Sequence, residues 1–168
     1  MKNISIVRLK PSEWQTYKII QLEALQKDPQ AFGSSYKDWV NYSDEKWQER
    51  PKNKDTMIFI AKDDETPVGL LGVHIEDIDG EQVAHLWGMY VNAQYRGIGL
   101  GKRLLQHTLE TVCTITHVKK AKLSVEYEPT PAQMLYRSLG FEAVGTKEHP
   151  LGDGKPHRLY MMEKLLEG

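Results

Sequence analysis

Apolar and polar residues alternate from Ile4 to Leu9, which predicts a strand. The period then lengthens, with Trp14, Tyr17, Ala24 and Leu25 recurring at helical spacing. Pro11-Ser12-Glu13-Trp14-Gln15 supplies the start signal for this helix, with Ser12 as cap and Gln15 three residues later, and Asp28-Pro29 stops it. A loop from Gln30 to Ser35 and an aromatic-rich helical stretch around Trp39 to Glu49 come next. Three extended runs follow, Met57 to Ala61, Val68 to Ile75 and Val83 to Val91. Turns at Asp63 to Pro67 and at Asp79-Gly80 join them, so they predict an antiparallel meander. Gly88 interrupts the last of these runs and predicts a bulge or a close backbone approach.

Beyond a glycine-rich turn, Leu100, Leu104, Thr108, Leu109 and Val112 form one apolar helix face, and Cys113 near its end reads as a small buried hydrophobe. Leu123 to Tyr127 predicts a strand. Thr130 then caps a helix with Pro131 in its first turn, and Gly140 ends that helix with Phe141 folding back. Final strands near Ala143 to Lys147 and His157 to Lys164 flank the Gly152-Asp153-Gly154 turn. The resulting order, β-α-α-β-β-β-α-β-α-β-β, describes a mixed α/β chain. Without a repeat, low-complexity tract or linker, residues 1–168 are expected to form a single domain.

Composition narrows the picture. A chain of 168 residues buries roughly two thirds of its unfolded surface without a staple, and the single cysteine cannot close an intramolecular disulfide. With no N-terminal apolar segment ahead of the folded pattern, a reducing, cytoplasmic location is expected, and no run reaches the roughly 18 apolar residues of a membrane span. Lys plus Arg (22) nearly balances Asp plus Glu (23), which argues against a nucleic-acid surface built on bulk charge. His74, His107, His117, His149 and His157 lack ligand spacing, so no metal is expected.

The chemistry concentrates in Val91 to Leu105, where a strand runs into three glycines within five residues and then directly into an amphipathic helix. Gly97, Gly99 and Gly101 allow close backbone approach beside the positive end of a helix dipole, so an anion belongs there. A Walker loop is excluded because Arg96 stands where its first glycine would be and Arg103 where Ser or Thr would be; the dinucleotide pattern G-x-G-x-x-G fails at Lys102. What remains, Arg96-x-x-Gly99-x-Gly101, resembles the pyrophosphate loop of the GNAT superfamily of acyl-CoA-dependent N-acyltransferases. A second stretch, Leu123 to Phe141, resembles the other signature of that family through Val125, Ala132, Leu135, Tyr136, Gly140 and Phe141. Pro129 stands where many members carry Asn, so a side-chain hydrogen bond from that position is missing.

The resemblance covers nearly the whole chain. It implies a GNAT acyl-CoA N-acyltransferase fold, with a central, mostly antiparallel sheet splayed between its fourth and fifth strands. It also implies acetyl-CoA as cosubstrate, an amine as acceptor and direct transfer in a ternary complex; a homodimer is allowed. The cofactor contacts it implies are Met89, Tyr90 and Val91 on the fourth strand and Arg96, Gly97, Ile98, Gly99, Leu100, Gly101 and Lys102 in the loop. An oxyanion donor is expected at a backbone N–H near Val91. Arg96, Lys102 and Arg103 read either as a patch for the cofactor's phosphates or as solvated helix-start charge.

Tyr136 is the implied acid, facing the cofactor sulfur from the start of its helix; periodicity alone makes it a core tyrosine in the stripe Ala132, Leu135, Tyr136, Leu139. His85 is the candidate base, sharing one strand face with Trp87, Met89 and Val91 if that strand is regular, and otherwise a structural histidine. Glu76 is the reserve base or an exposed strand carboxylate. Trp39, Tyr42 and Trp47 line the acceptor side or belong to the core, while Gln30 to Ser35, the final hairpin and the fourth strand would shape the acceptor pocket. A non-catalytic module that senses acyl-CoA is the competing reading, and a phosphotransferase a distant third.

Overall fold

The computed structural model describes residues 2–29 and 32–166. Its strands are β1 (Ile4–Arg8), β2 (Thr56–Asp63), β3 (Thr66–Ile78), β4 (Glu81–Val91), β5 (Lys120–Glu126), β6 (Glu142–Pro150) and β7 (Pro156–Leu165). The helices are α1 (Trp14–Lys27), α2 (Tyr36–Trp39), α3 (Asp44–Lys52), α4 (Leu100–Ile115) and α5 (Pro131–Ser138). The expected order holds with one helix more. The stretch around Trp39 to Glu49 divides because two serines cap separately: Ser35 accepts from the Asp38 N–H and Ser43 from the Lys46 N–H, each at 3.2 Å. The start of α1 also differs from expectation. Pro11 opens a short 3-10 turn, and the Glu13 carboxylate, not Ser12, reaches back to a backbone N–H, that of Lys10, at 2.8 Å.

The sheet order is β1-β2-β3-β4-β5-β7-β6, antiparallel at every step except β4–β5. That parallel step is short: only Ala84↔Ala121 and His85↔Lys122 pair, and beyond them the strands part. The sheet is therefore splayed between β4 and β5. Helices α1 to α3 cover one face, where Tyr17, Ile20 and Trp47 pack on Ile58, Ile60 and Leu70. Helix α4 covers the other through Leu104, Leu105 and Val112 against Phe59, Leu71 and Ala84. Leu104 and Leu105 are fully buried, each contributing about 1.5–3 kcal/mol of transfer free energy.

The bulge predicted at Gly88 is present and changes the face assignment of β4. Leu70 pairs with Tyr90 but Gly72 pairs with Trp87, so Leu71 opposes two residues, and Gly88 takes the positive φ (71°) that glycine alone adopts without strain. Side-chain parity inverts across it. Before the bulge Trp87 joins the α1 side while Ala84 and Leu86 join the α4 side; after it Tyr90 lies on the α1 side and Met89 on the α4 side. His85 and Trp87 thus do not share a face with Met89 and Val91, because one extra residue shifts the pleat by half a period.

Candidate active site

The glycine loop turns on two left-handed glycines. Gly97 and Gly99 both sit at φ 79°, with open space where a Cβ would be, so their glycine requirement is one of backbone conformation. Gly101 differs: a Cβ there would meet Met89 at 3.3 Å and Leu135 at 3.4 Å, so its absence lets α4 pack closely on β4 and α5. Buried Leu100 anchors the loop in a small cluster with Ala61 and Val68, while Ile98 is exposed. The first helical hydrogen bond to this region runs from the Arg103 N–H to the Gly99 carbonyl, and among the described residues no protein acceptor meets the N–H groups from Gly97 to Lys102. Lys102 and Arg103 are exposed beside them with no carboxylate partner among the described residues. Six amides at a helix N-terminus with flanking cations suit a pyrophosphate.

The loop leads into the gap between β4 and β5. The Asn92 N–H donates toward β3, to Val68 at 2.8 Å, so alternation turns the N–H and carbonyl of Val91 the other way, toward β5. The Val91 carbonyl accepts from Arg96 Nε at 2.8 Å, which ties the loop to the strand. Its N–H meets no ladder partner, because the β4–β5 pairing has already ended at His85. Tyr90, one residue earlier, is buried on the α1 side, and burial followed by nearby Glu23 pushes its phenol well above the ordinary value of 10.0.

His85 lies at the vertex of this gap. Its Nδ1 is 2.9 Å from Glu76 Oε1 on β3, and Glu76 Oε2 is 2.8 Å from Lys122 Nζ on β5. Three strands thus contribute one residue each to a row on the α1 side of the sheet. Hydrogen bonding from Lys122 is the main reason that Glu76 titrates below its ordinary value, and it therefore stays ionised at neutral pH. Burial dominates at His85 and holds its pKa below 6.5, against the opposing pull of Glu76. A neutral imidazole donating from Nδ1 to a fixed carboxylate leaves the Nε2 lone pair available. Lys122 carries no sequence signal, since the two-residue parallel pairing that brings it to His85 is a tertiary feature.

Tyr136 occupies the second turn of α5 rather than its start. It is 6% exposed within the α4-side core, its ring edge-on to Phe141 at 5.9 Å. Burial pushes the phenol well above its ordinary 10.0, so it carries its proton throughout the neutral range. The Thr130 cap forms as expected, accepting from the Gln133 N–H at 3.1 Å, and Gly140 turns at φ 95°. Cys113 is half-buried against the α4-side core.

On the α1 side the aromatic residues form one group. Trp39, Tyr42 and Trp47 contact each other at 5.4–6.1 Å between ring centres, and Tyr17 bridges Trp47 to Trp87. Trp47 is buried, while Trp39 and Tyr42 are only partly so. Sequence reasoning missed Arg50, whose guanidinium lies over Trp39 and Trp87, and Gln21, one helical turn beyond Tyr17; the spacings 47/50 and 17/21 on single helix faces were the available signals. Of the loop expected to shape the acceptor pocket, Gln30 and Ala31 lie outside the described residues. The remainder meets the β6–β7 hairpin: the Gly152 N–H donates to the Phe32 carbonyl at 2.6 Å. Among the described residues no helix is long and apolar enough to cross a membrane.

Comparison with known proteins agrees with this fold. Residues 16–141 match the profile of the acetyltransferase (GNAT) family. An N-alpha-acetyltransferase of Sulfurisphaera tokodaii is 32% identical over 71 residues, 42% of each chain. The L-amino acid N-acetyltransferase AaaT of Escherichia coli is 26% identical over 125 residues, 73% of this chain and 77% of that protein. The match to the first of these relatives thus spans less than half of its length. A GNAT-family acetyltransferase structure from Streptococcus pneumoniae superimposes with a TM-score of 0.80 at 19% identity, covering 98% of this chain and 100% of that one.

Proposed function

Because the chain belongs to the acetyltransferase (GNAT) family, we propose that it moves an acetyl group from acetyl-CoA to a primary amine by direct transfer in a ternary complex. The observation that carries this reading is the run of unpartnered N–H groups from Gly97 to Lys102 opening onto a gap with His85 at its vertex. Acetyl-CoA supplies an activated thioester carbonyl. The loop amides, with Arg96 and Lys102 beside them, hold its pyrophosphate; Met89, Tyr90 and Val91 border the path of the acyl arm, and the Val91 N–H meets the developing negative charge on the carbonyl oxygen.

A lysine-like amine of pKa about 10.4 pays about 4.6 kcal/mol to be neutral at pH 7, so a base is worth having. His85 Nε2 takes the amine proton while Glu76 holds Nδ1 and stabilises the imidazolium that forms. Glu76, kept ionised by Lys122, thereby acts as an orienting partner rather than the base. Tyr136 Oη delivers a proton to the departing thiolate, and burial keeps that proton in place beforehand. A module that only senses acyl-CoA has no use for this carboxylate-oriented imidazole.

Gly99→Asp tests the loop. The side chain would enter open space and the backbone strain costs about 1–2 kcal/mol, so the fold survives. The new carboxylate faces the pyrophosphate, and calorimetry is expected to show acetyl-CoA affinity reduced by about a hundredfold or more. Unchanged affinity in the folded variant would overturn the assignment.

A further inference from the structure

Arg50 is an exposed cation that the fold positions closely yet leaves without a counter-charge. Its guanidinium carbon lies 4.7 Å from the Trp39 ring centre and 4.5 Å from that of Trp87, and Nη1 is 3.3 Å from Tyr17 Oη. Neighbouring charges are engaged elsewhere, Asp44 with Lys18 at 4.0 Å and Glu49 with Lys46 at 3.0 Å, and among the described residues no carboxylate lies within salt-bridge reach of Arg50. The platform beneath it is closely packed. Trp87 fills the space over Gly72, where any Cβ would stand 2.2 Å from the indole. Trp87 is two residues from His85 on the same face of β4, so this guanidinium lies on the same side of the sheet as the proposed base.

A second unsatisfied group lies on the same α1 side of the sheet. Gln21 is 2% exposed and its Oε1 has no hydrogen-bond partner, although it sits 3.7 Å from where a Gly88 Cβ would be, beside Trp87. A buried carbonyl oxygen left without a donor costs about 1–3 kcal/mol, which a ligand N–H would recover. The two vacancies are complementary in kind: a guanidinium fork that lacks a carboxylate and an amide oxygen that lacks an N–H.

We propose that the acceptor is an amine bearing a carboxylate, of the free amino acid class, with Arg50 holding the carboxylate and Gln21 accepting from an N–H of the same molecule. This rests on the reading of the site as an acetyl-CoA-dependent amine acetyltransferase. The test compares kcat/KM for the twenty L-amino acids with that for their carboxamides, in wild type and in Arg50→Met, which keeps an apolar stem over the indoles. The best acid is expected to exceed its amide by about tenfold or more, and Arg50→Met should erase most of that ratio through KM for the acid. Equal use of acids and amides by the wild type, or an undiminished ratio in Arg50→Met, would overturn the proposal; so would better use of a carboxylate-free peptide amine than of every free acid. Each of those results leaves acetyl transfer itself intact. If no amine is acetylated, tryptophan emission still decides, because Trp39 and Trp87 flank the guanidinium. Saturable quenching by free amino acids but not by their amides, lost in Arg50→Met, supports the site, and no quenching refutes it.

Discussion

Replacing Glu76 by Gln tests the proposed base through its partner. The substitution keeps volume and removes the carboxylate that lies 2.9 Å from His85 Nδ1 and 2.8 Å from Lys122 Nζ. Two effects follow. The amide can turn its own N–H toward Nδ1, which moves the ring proton to Nε2 and blocks the lone pair that the mechanism uses. Among the described residues Glu76 is also the only group raising the His85 pKa against burial, Lys122 and Lys147, so its loss drives that pKa further below 6.5. General-base catalysis is worth about 10²–10⁴-fold, and an imidazole that still visits the productive tautomer retains some of it, so kcat/KM should fall by about a hundredfold.

The assay is release of CoA thiol, followed from pH 5 to 9 with the best amine found. In wild type the low-pH limb of kcat/KM is expected below pH 6.5, separate from the rise at high pH that belongs to the amine itself. It should shift to lower pH in Glu76→Gln with a reduced plateau, and vanish in His85→Ala. Stability supplies the companion sign. The folded chain binds the His85 proton less tightly than the unfolded chain does, so stability is lost as pH falls from about 6.5 through the depressed folded value. A limb that keeps its position in all three proteins, with a wild-type plateau in Glu76→Gln, would refute His85 as the base.

Tyr136→Phe should leave acetyl-CoA affinity within a factor of about two while lowering kcat by about 10²-fold, measured by calorimetry and steady-state kinetics; wild-type turnover would return Tyr136 to a packing role beside Phe141. Gly152→Ala places a Cβ 2.6 Å from the Ser34 carbonyl and 2.7 Å from that of Pro29, forcing the hairpin off the preceding loop. It should cost about 1–3 kcal/mol in thermal unfolding and raise acceptor KM without changing acetyl-CoA affinity, and an unchanged KM would remove that contact from the acceptor site.

The parts of the site legible in the sequence are those whose chemistry is local. Gly97 and Gly99 are needed for their own φ, Thr130 caps its own helix and Gly140 terminates it, so each announces itself within a few residues. The backbone turn within Arg96 to Lys102, on which the proposed anion loop rests, was therefore readable before any strand was placed. The Glu76, His85 and Lys122 row was not, since it depends on the register of β3 on β4 and on a parallel contact only two residue pairs long. Arg50 was hidden for a related reason: its meaning lies in what it lacks, a carboxylate, and that absence is visible only once its neighbours are placed.

The bulge at Gly88 removes the condition of a regular strand on which a face shared by His85 and Met89 depended. A strand of strict period two would set Met89 and Val91 beside His85. One inserted residue sends Met89 against Gly101 and the α4-side core, while His85 and Trp87 remain on the α1 side with Tyr17 and Arg50. The same strand thereby contributes to both faces of the sheet. Before the bulge it presents His85, the proposed base, and Trp87 to the α1 side; after it, Met89 and Val91 pack against Gly101 in the glycine loop while Tyr90 returns to the α1 side. Restoring regular pleating by deleting one residue at this point would move one of the two sets to the wrong face of the sheet, so the two halves of the proposed reaction depend on a single positive φ.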